Sequence, residues 1–189
     1  MSTFAAAPSP TSLPTRAEPA LREVVRAGVG AGVLAMSAAI GWILFCGEVA
    51  NAPTPVPGVR SSTWTGVTAV TGVIFGSDAV HGSFHVLSIA FGIGLLLVLG
   101  GVLGAVGAAI VHETIGPVAG AAAAVTVGLA YGFVLQIVLV NLVVNAIQDR
   151  NDLYGAMPSW GWWVASATYG IALALLVTRR WRRAAPAPA

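Results

Sequence analysis

The distribution of charged positions divides the chain into four long apolar stretches. None of them contains Asp, Glu, Lys or Arg, and they cover residues 27–47, 79–111, 114–148 and 153–178. Each is at least as long as the roughly 20 residues that a helix needs to cross a hydrocarbon core of about 30 Å. The pattern predicts an all-α, polytopic membrane protein with four transmembrane helices. The predicted spans are about 24–48, 84–111, 117–147 and 156–178.

The segments outside the spans have a different composition. Residues 1–19 are rich in Ala, Ser, Thr and Pro, which predicts a disordered cytoplasmic tail. Residues 184–189 are predicted to form a second, short cytoplasmic tail. Three prolines, Pro53, Pro55 and Pro57, force an extended loop after the first span.

Residues 61–77 are the ambiguous part of the sequence. Their Thr, Val and Gly content is too polar, and the segment too short, for a secure fifth span. We expect an interfacial or re-entrant segment anchored by Trp64. Between the second and third spans a tight turn is predicted at residues 112–116, and Pro117 suits the first turn of the helix that follows.

Composition supports the membrane assignment. Apolar residues make up 57% of the chain, charged residues only 8%, and the mean hydropathy is +0.85. A soluble domain carries roughly a quarter charged residues, so a soluble class is excluded. Cys46 is the single cysteine, which excludes an intrachain disulfide.

The positive charges predict an orientation. All nine Lys/Arg-type residues are arginines, and with the abundant Ala, Gly and Val this indicates a GC-rich bacterial genome. Arginines cluster before the first span and after the fourth, at Arg16, Arg22, Arg26, Arg179, Arg180, Arg182 and Arg183. The positive-inside rule then predicts a multi-pass protein of the bacterial inner membrane with both termini in the cytoplasm. The net charge of +2 gives no reason to expect nucleic acid as a partner.

A weak internal repeat links the two halves of the chain. Residues 86–95 return as 164–173, with an aromatic residue before the glycine both times. A fainter echo pairs residues 40–44 with 131–135. The pattern predicts one two-helix unit used twice. Because each unit has two spans, the repeats are parallel, unlike the inverted repeats of many transporters.

Small residues recur at every fourth position of the third span. They are Gly116, Gly120, Ala124, Gly128 and Gly132. Small residues at this spacing let helix backbones approach closely in lipid. We therefore predict that the four glycines of this stripe pack against a neighbouring helix of the same bundle. The alternative is homo-oligomerisation or docking of a membrane-protein partner.

Asp78, His81 and His85 have the spacing of residues that share one face of a helix. A carboxylate and two imidazoles form a plausible ligand set for zinc or another divalent metal, so these residues are candidate metal ligands. Two other interpretations remain open, namely that Asp78 caps the incoming helix or that all three residues lie at a hydrated interface. No catalytic residue and no other cofactor is predicted.

A second polar group follows the third span. Asn141, Asn145, Gln148, Asp149 and Asp152 fall near one helical face. At about 1.5 Å per residue from the start of the span, the first of them is already near the outer boundary. With the two histidines, this outer polar cluster is a candidate acidic vestibule that attracts a cation. The alternative is a helix that projects into water and is polar for that reason.

Aromatic–glycine pairs recur in the predicted spans, at Phe91-Gly92, Tyr169-Gly170 and within Leu129-Ala130-Tyr131-Gly132. Over about residues 21–180 the chain resembles a loose group of uncharacterised four-span bacterial integral membrane proteins built from a duplicated two-helix unit. The group has no known activity. The resemblance therefore implies an architecture and no catalytic residue.

These observations favour a non-enzymatic integral membrane protein in the lipid bilayer, either an accessory subunit or a small homo-oligomer. The alternative is a small cation transporter or channel that uses the outer polar cluster. A third hypothesis, a membrane-embedded metal-binding protein or metalloenzyme, requires the set of Asp78, His81 and His85.

Overall fold

Long helices form the framework of the protein. The computed structural model describes residues 21–50, 53–54, 56–116, 120–144 and 155–184. Within these ranges the chain is helical, and extended pairing is limited to one isolated bridge between Pro53 and Arg60. The helices are α1 (Leu21–Ala50), α2 (Thr65–Phe75), α3 (Val86–Ile115), α4 (Ala121–Leu135) and α5 (Ser159–Ala184). A 3₁₀ turn covers Ser77–Ala79, and α4 continues as a π-helix over Gln136–Val144.

Four helices are long and apolar enough to cross a membrane, namely α1, α3, α4 with the start of its π-helical continuation, and α5. The all-α fold and the number of spans predicted from the sequence are thereby confirmed. The chain is a multi-pass membrane protein. Both predicted tails lie outside the described residues, except that residue 184 is the last residue of α5.

The turn predicted at residues 112–116 is wrong, because α3 continues to Ile115. His112 and Glu113 are compatible with a helix, and the chain leaves it only at Gly116. There φ is +67°, a left-handed value that favours glycine, and the amide N–H donates to His112 O. The predicted first residue of the next helix, Pro117, lies outside the described residues, and α4 begins at Ala121.

Helix α1 occupies the centre of the bundle and packs against both α3 and α5. At its crossing with α3, Gly28 lies against Gly104 and Gly32 against Gly100. A Cβ at Gly104 would lie only 2.6 Å from Gly32 Cα, so the two backbones are in direct contact. We call the end of the bundle where α1 begins and α5 ends the terminal face. The opposite end is the loop face.

A second close crossing joins α4 to α5. Gly128 packs on Gly170, where a Cβ at Gly128 would lie 2.5 Å from the carbonyl oxygen. Gly132 packs on the backbone of Ser166. The predicted packing stripe does not extend to Gly116, which ends α3. Nor does it include Gly120, whose Cβ position has no atom within 4 Å. The stripe assumed one helix through all four glycines, whereas α4 begins only at Ala121.

The duplication stays a prediction. The sequence echo aligns Gly92 with Gly170, yet these glycines have different neighbours. Gly170 packs on α4, while Gly92 packs on the backbone and side chains of α2 at Val67 and Thr71. In the α1–α3 crossing the place of Gly170 is taken by Gly104. It packs on two glycines of α1 four residues apart, as Gly170 packs on two glycines of α4. The contacts therefore pair Gly170 with Gly104, whereas the sequence echo pairs it with Gly92.

Two tyrosine hydroxyls tie the second half of the chain to α3. Tyr131 of α4 donates to Leu103 O at 2.6 Å, and Tyr169 of α5 donates to Gly100 O at 2.8 Å. Both side chains are buried. Within a bilayer such interhelical bonds add to packing in holding helices together.

Helix α2 fills the ambiguous segment between α1 and α3. Its 11 residues span about 17 Å, too short to cross a bilayer. Its buried face carries three threonines, Thr65, Thr68 and Thr71, whose hydroxyls bond to backbone atoms of the flanking loops or of α3. Ser62 Oγ donates to Gly82 O and holds the two ends of the segment together at the loop face. The segment thus enters and leaves the bundle on one side.

Candidate functional site

An apolar groove runs along the outer surface of α1 and α3. Its volume is about 570 Å³, and it is lined by Val29, Val33, Leu97, Val98, Gly101, Val102, Ala105 and Val106. Along α3 it extends over ten residues, from Leu97 to Val106, or about 14 Å. The groove lies within the two spans, so it faces the space that lipid or another transmembrane helix occupies.

The floor of the groove is Gly101, which lies next to the close crossing of α1 and α3. A Cβ at Gly101 would lie 3.5 Å from Val33 Cγ2 and 3.6 Å from Val29 Cγ1, an ordinary contact distance. A larger side chain at this position would therefore extend into the groove without disturbing the crossing. The walls are formed by exposed valines such as Val98, which is 65% exposed.

Helix α4 presents a ridge of small residues on its exposed surface. Ala122, Thr126 and Ala130 follow at four-residue spacing, and all three are exposed. Thr126 Oγ1 donates to Ala122 O at 3.1 Å, so the hydroxyl is satisfied within the helix and does not need water. Of the four spans, α4 is the least buried by the rest of the protein.

The structure brings His81 and His85 together but not on a helix. Their ring centroids lie 4.2 Å apart with an interplanar angle of 35°. The shared helix face predicted for Asp78, His81 and His85 is wrong. Asp78 lies in the 3₁₀ turn, His81 in the loop, and His85 at the N-cap of α3. Among the described residues no three His, Cys, Asp or Glu side chains are arranged to hold a metal ion.

The imidazole of His85 already has a structural role. Its Nδ1 accepts a hydrogen bond from the backbone N–H of Ser88 at 3.4 Å and lies 3.0 Å from Ser88 Oγ. While Nδ1 accepts, a neutral imidazole carries its proton on Nε2. A metal binds only an unprotonated nitrogen, so capping of α3 and metal coordination through Nε2 exclude each other. Asp78, the proposed alternative cap, does not cap this helix.

His81 also lines a small polar pocket at the loop face. The pocket has a volume of about 430 Å³ and is otherwise lined by Gly58, Val59, Arg60, Ser61, Ser62, Gly82 and Ser83. The His81 backbone is fixed to α2 by two hydrogen bonds, because Thr68 Oγ1 accepts from its N–H and donates to its carbonyl oxygen. The pocket is shallow and open to water.

The outer polar cluster cannot be placed. Asn145, Gln148, Asp149 and Asp152 lie outside the described residues, as does the side chain of Asn141 in the π-helical segment.

The buried amide of Gln136 begins the π-helical segment. Its Oε1 accepts from Ser166 Oγ at 2.8 Å, whereas its Nε2 has no partner in the described part of the chain. π-Helical segments occur often at functional sites. Here the contacts of the glutamine join α4 to α5.

The groove is the feature that the sequence analysis missed. The small residues of the sequence mark the helix faces that meet, whereas the groove lies on the adjacent face of α3. One signal was available in the four-residue spacing of Val98, Val102 and Val106. By itself such a ridge only indicates a lipid-facing surface, since β-branched residues are common there.

Comparison with known proteins gives no further guide: no protein-family model, no curated protein and no solved structure matches the chain. The resemblance to duplicated four-span proteins stays a prediction.

Proposed function

We propose that the protein is a non-enzymatic membrane subunit that acts by lateral association with a second copy of itself. The observation that carries the proposal is the apolar groove of α1 and α3, with Gly101 as its floor. Where lipid supplies no hydrophobic drive between helices, association depends on close packing. A concave surface with a glycine floor permits such packing.

The second copy is the occupant because both partners of the contact are present on this chain. The ridge of α4, formed by Ala122, Thr126 and Ala130, is narrow and apolar and lies on the least buried span. A groove of one copy that receives the ridge of the next makes a head-to-tail interface, which closes into a ring if the rotation permits. The contact would cover two exposed surfaces, the groove and the ridge, that do not take part in the helix crossings within one copy.

The test is energy transfer between labelled copies in liposomes over a range of protein-to-lipid ratios. Gly101→Leu fills the groove and should weaken association by at least about tenfold, the effect of about 1.4 kcal/mol of lost packing. Gly41→Leu is the matched control. It makes the same change in a span, at a position with no atom within 4 Å of the new Cβ, and should leave association unchanged.

A mixing experiment identifies the partner of the groove. Thr126→Leu on the ridge should weaken self-association as Gly101→Leu does. A head-to-tail contact needs one groove and one ridge, so a mixture of the two variants should regain pairwise energy transfer. Unchanged association of Gly101→Leu would refute the groove as the interface. Failure of the mixture to regain energy transfer would refute the head-to-tail contact.

For its location we propose the bacterial inner membrane, with both termini in the cytoplasm. Six exposed arginines at the terminal face support this orientation, whereas Arg60 is the described arginine of the loop face. Fusions of alkaline phosphatase and of a fluorescent protein after residue 184 distinguish the two orientations. Cytoplasmic fluorescence without phosphatase activity is expected, and the reverse would contradict the proposal.

The transporter and metal-binding hypotheses remain alternatives without support from the described residues. The first rests on the outer polar cluster, which lies outside them. The second requires His85 to give up its role as the cap of α3.

A further inference from the structure

The arginines of the terminal face form a concentrated cationic surface. Six are exposed there, on the first turns of α1 and the last turns of α5: Arg22, Arg26, Arg179, Arg180, Arg182 and Arg183. The described carboxylates of this face are Glu23 and Glu113. None of the six guanidinium groups forms an ion pair with a described residue. The described acids therefore leave an excess of positive charge on this face.

Arg180 reaches from α5 across to α1. Its Nη1 lies 3.7 Å from the position that a Cβ at Gly30 would occupy. On α1, Arg22, Arg26 and Gly30 follow at four-residue spacing and share one face. Because Gly30 has no side chain, this face has a notch one turn, or about 6 Å, beyond Arg26. The guanidinium of Arg180 lies at its edge.

The notch lies inside the apolar part of α1, which carries no charge from residue 27 to residue 47. Helical side chains lean toward the N-terminus, so Arg26 leans away from the membrane centre and Arg180 toward it. The two guanidinium groups thus offer donors at two depths. On the same face of α1, one turn beyond Gly30, Leu34 is 61% exposed. Charge at the surface and an apolar side chain below it match the two parts of a phospholipid.

We propose that the notch formed by Arg26, Gly30 and Arg180 binds the phosphate-containing headgroup of an anionic phospholipid. A guanidinium group donates two parallel hydrogen bonds to phosphate oxygens. A zwitterionic headgroup has the same phosphate, but its cationic group is repelled by the neighbouring arginines, so an anionic headgroup is favoured. Arg26 binds the phosphate, Arg180 binds oxygens deeper in the headgroup region, and an acyl chain covers Leu34. A soluble phosphate would leave this apolar surface bare.

The test is native mass spectrometry of the delipidated protein with phosphatidylglycerol or phosphatidylcholine of identical acyl chains. The wild type should retain phosphatidylglycerol preferentially. Arg26→Gln combined with Arg180→Gln should weaken phosphatidylglycerol binding by at least about tenfold, the loss of one hydrogen bond to a charged group, and should remove the preference over phosphatidylcholine. The matched control combines Arg179→Gln with Arg182→Gln, at positions about 100° and 160° around α5 from Arg180. It removes the same charge and should keep the preference.

Equal losses in the two double variants would show a diffuse charge effect and overturn the proposal. So would the absence of any loss, or displacement of the lipid by millimolar inorganic phosphate. If the first double variant melts earlier than the wild type, the single variant Arg180→Gln is the deciding one. It should lose about fivefold in phosphatidylglycerol binding, the effect of one hydrogen bond. Gly101→Leu should bind phosphatidylglycerol like the wild type, so failure of the self-association proposal is distinguishable from failure of this one.

Discussion

The close crossing of α1 and α3 makes a sharp prediction for Gly104→Ala. The new Cβ would lie 2.6 Å from Gly32 Cα and also against the carbonyl oxygen of Gly28. Both neighbours are backbone, so they cannot rotate away and the helices must separate. The same substitution at Gly94, also on α3, meets no atom within 4 Å and is the matched control.

The expected cost follows from the separation. Carbon atoms pack at about 3.5–4.0 Å, so the axes must move apart by roughly 1 Å, which forfeits a quarter to a half of the dispersion energy at the crossing. With roughly 20–30 close atom pairs at about 0.1–0.2 kcal/mol each, the loss is about 0.5–3 kcal/mol. That agrees with the usual cost of overpacking, about 1–3 kcal/mol. Replacing glycine by alanine in a helix stabilises both variants by about 1 kcal/mol, a contribution that cancels in the comparison.

The measurement is reversible unfolding in mixed micelles, followed by circular dichroism as the fraction of denaturing detergent rises. The free energy of unfolding of Gly104→Ala should be about 1–3 kcal/mol lower than that of Gly94→Ala. A difference below about 0.5 kcal/mol would mean that the backbones of α1 and α3 do not meet at Gly104, and the reasoning would fail.

Three further substitutions test the buried polar contacts. Tyr169→Phe removes the hydroxyl bond to Gly100 O and should lower the free energy of unfolding by about 0.6 kcal/mol, and by no more than about 1.7. Gln136→Met removes a buried amide whose Nε2 has no described partner, so it should cost less than about 1 kcal/mol; a cost above 2 would reveal another partner. Thr68→Val leaves the backbone N–H and carbonyl of His81 without their hydroxyl and should speed amide exchange in residues 76–85 but not in α3, whereas uniform acceleration would contradict a local role.

The number of spans could be predicted because the length of an uncharged stretch is a local property of the sequence. Helix ends were harder to predict. The sequence places a turn at residues 112–116 because the charge of Glu113 marks the edge of the membrane. A helix can continue past that edge into water, and α3 does so until Gly116 supplies a left-handed φ.

The threonines of α2 show why the segment between α1 and α3 could not be interpreted in detail. Thr content there indicates a polar surface, whereas Thr65, Thr68 and Thr71 are buried. Their hydroxyls are satisfied by loop and helix backbone, such as Ser88 O, 17 residues from Thr71. A hydrogen-bond partner so far away along the chain cannot be recognised from the residues next to each threonine.

The candidate sites were predictable only in part. His81 and His85 do meet, but residues 80–85 form a loop and not the helix on which the three ligands would share a face. The groove beside Gly101 depends on how far α1 is offset sideways from α3, which periodicity does not determine.

The contacts of α1 have a consequence for synthesis of the protein. Its crossing with α3 can form as soon as the second span has left the translocon, whereas its contact with α5, where Cys46 lies against Gly161, must wait for the last span. Until then one side of α1 and the face of α4 that packs on α5 remain unpaired in the bilayer. A nascent chain that stalls before residue 159 therefore leaves its small-residue helix faces open to close packing by any other helix in the bilayer.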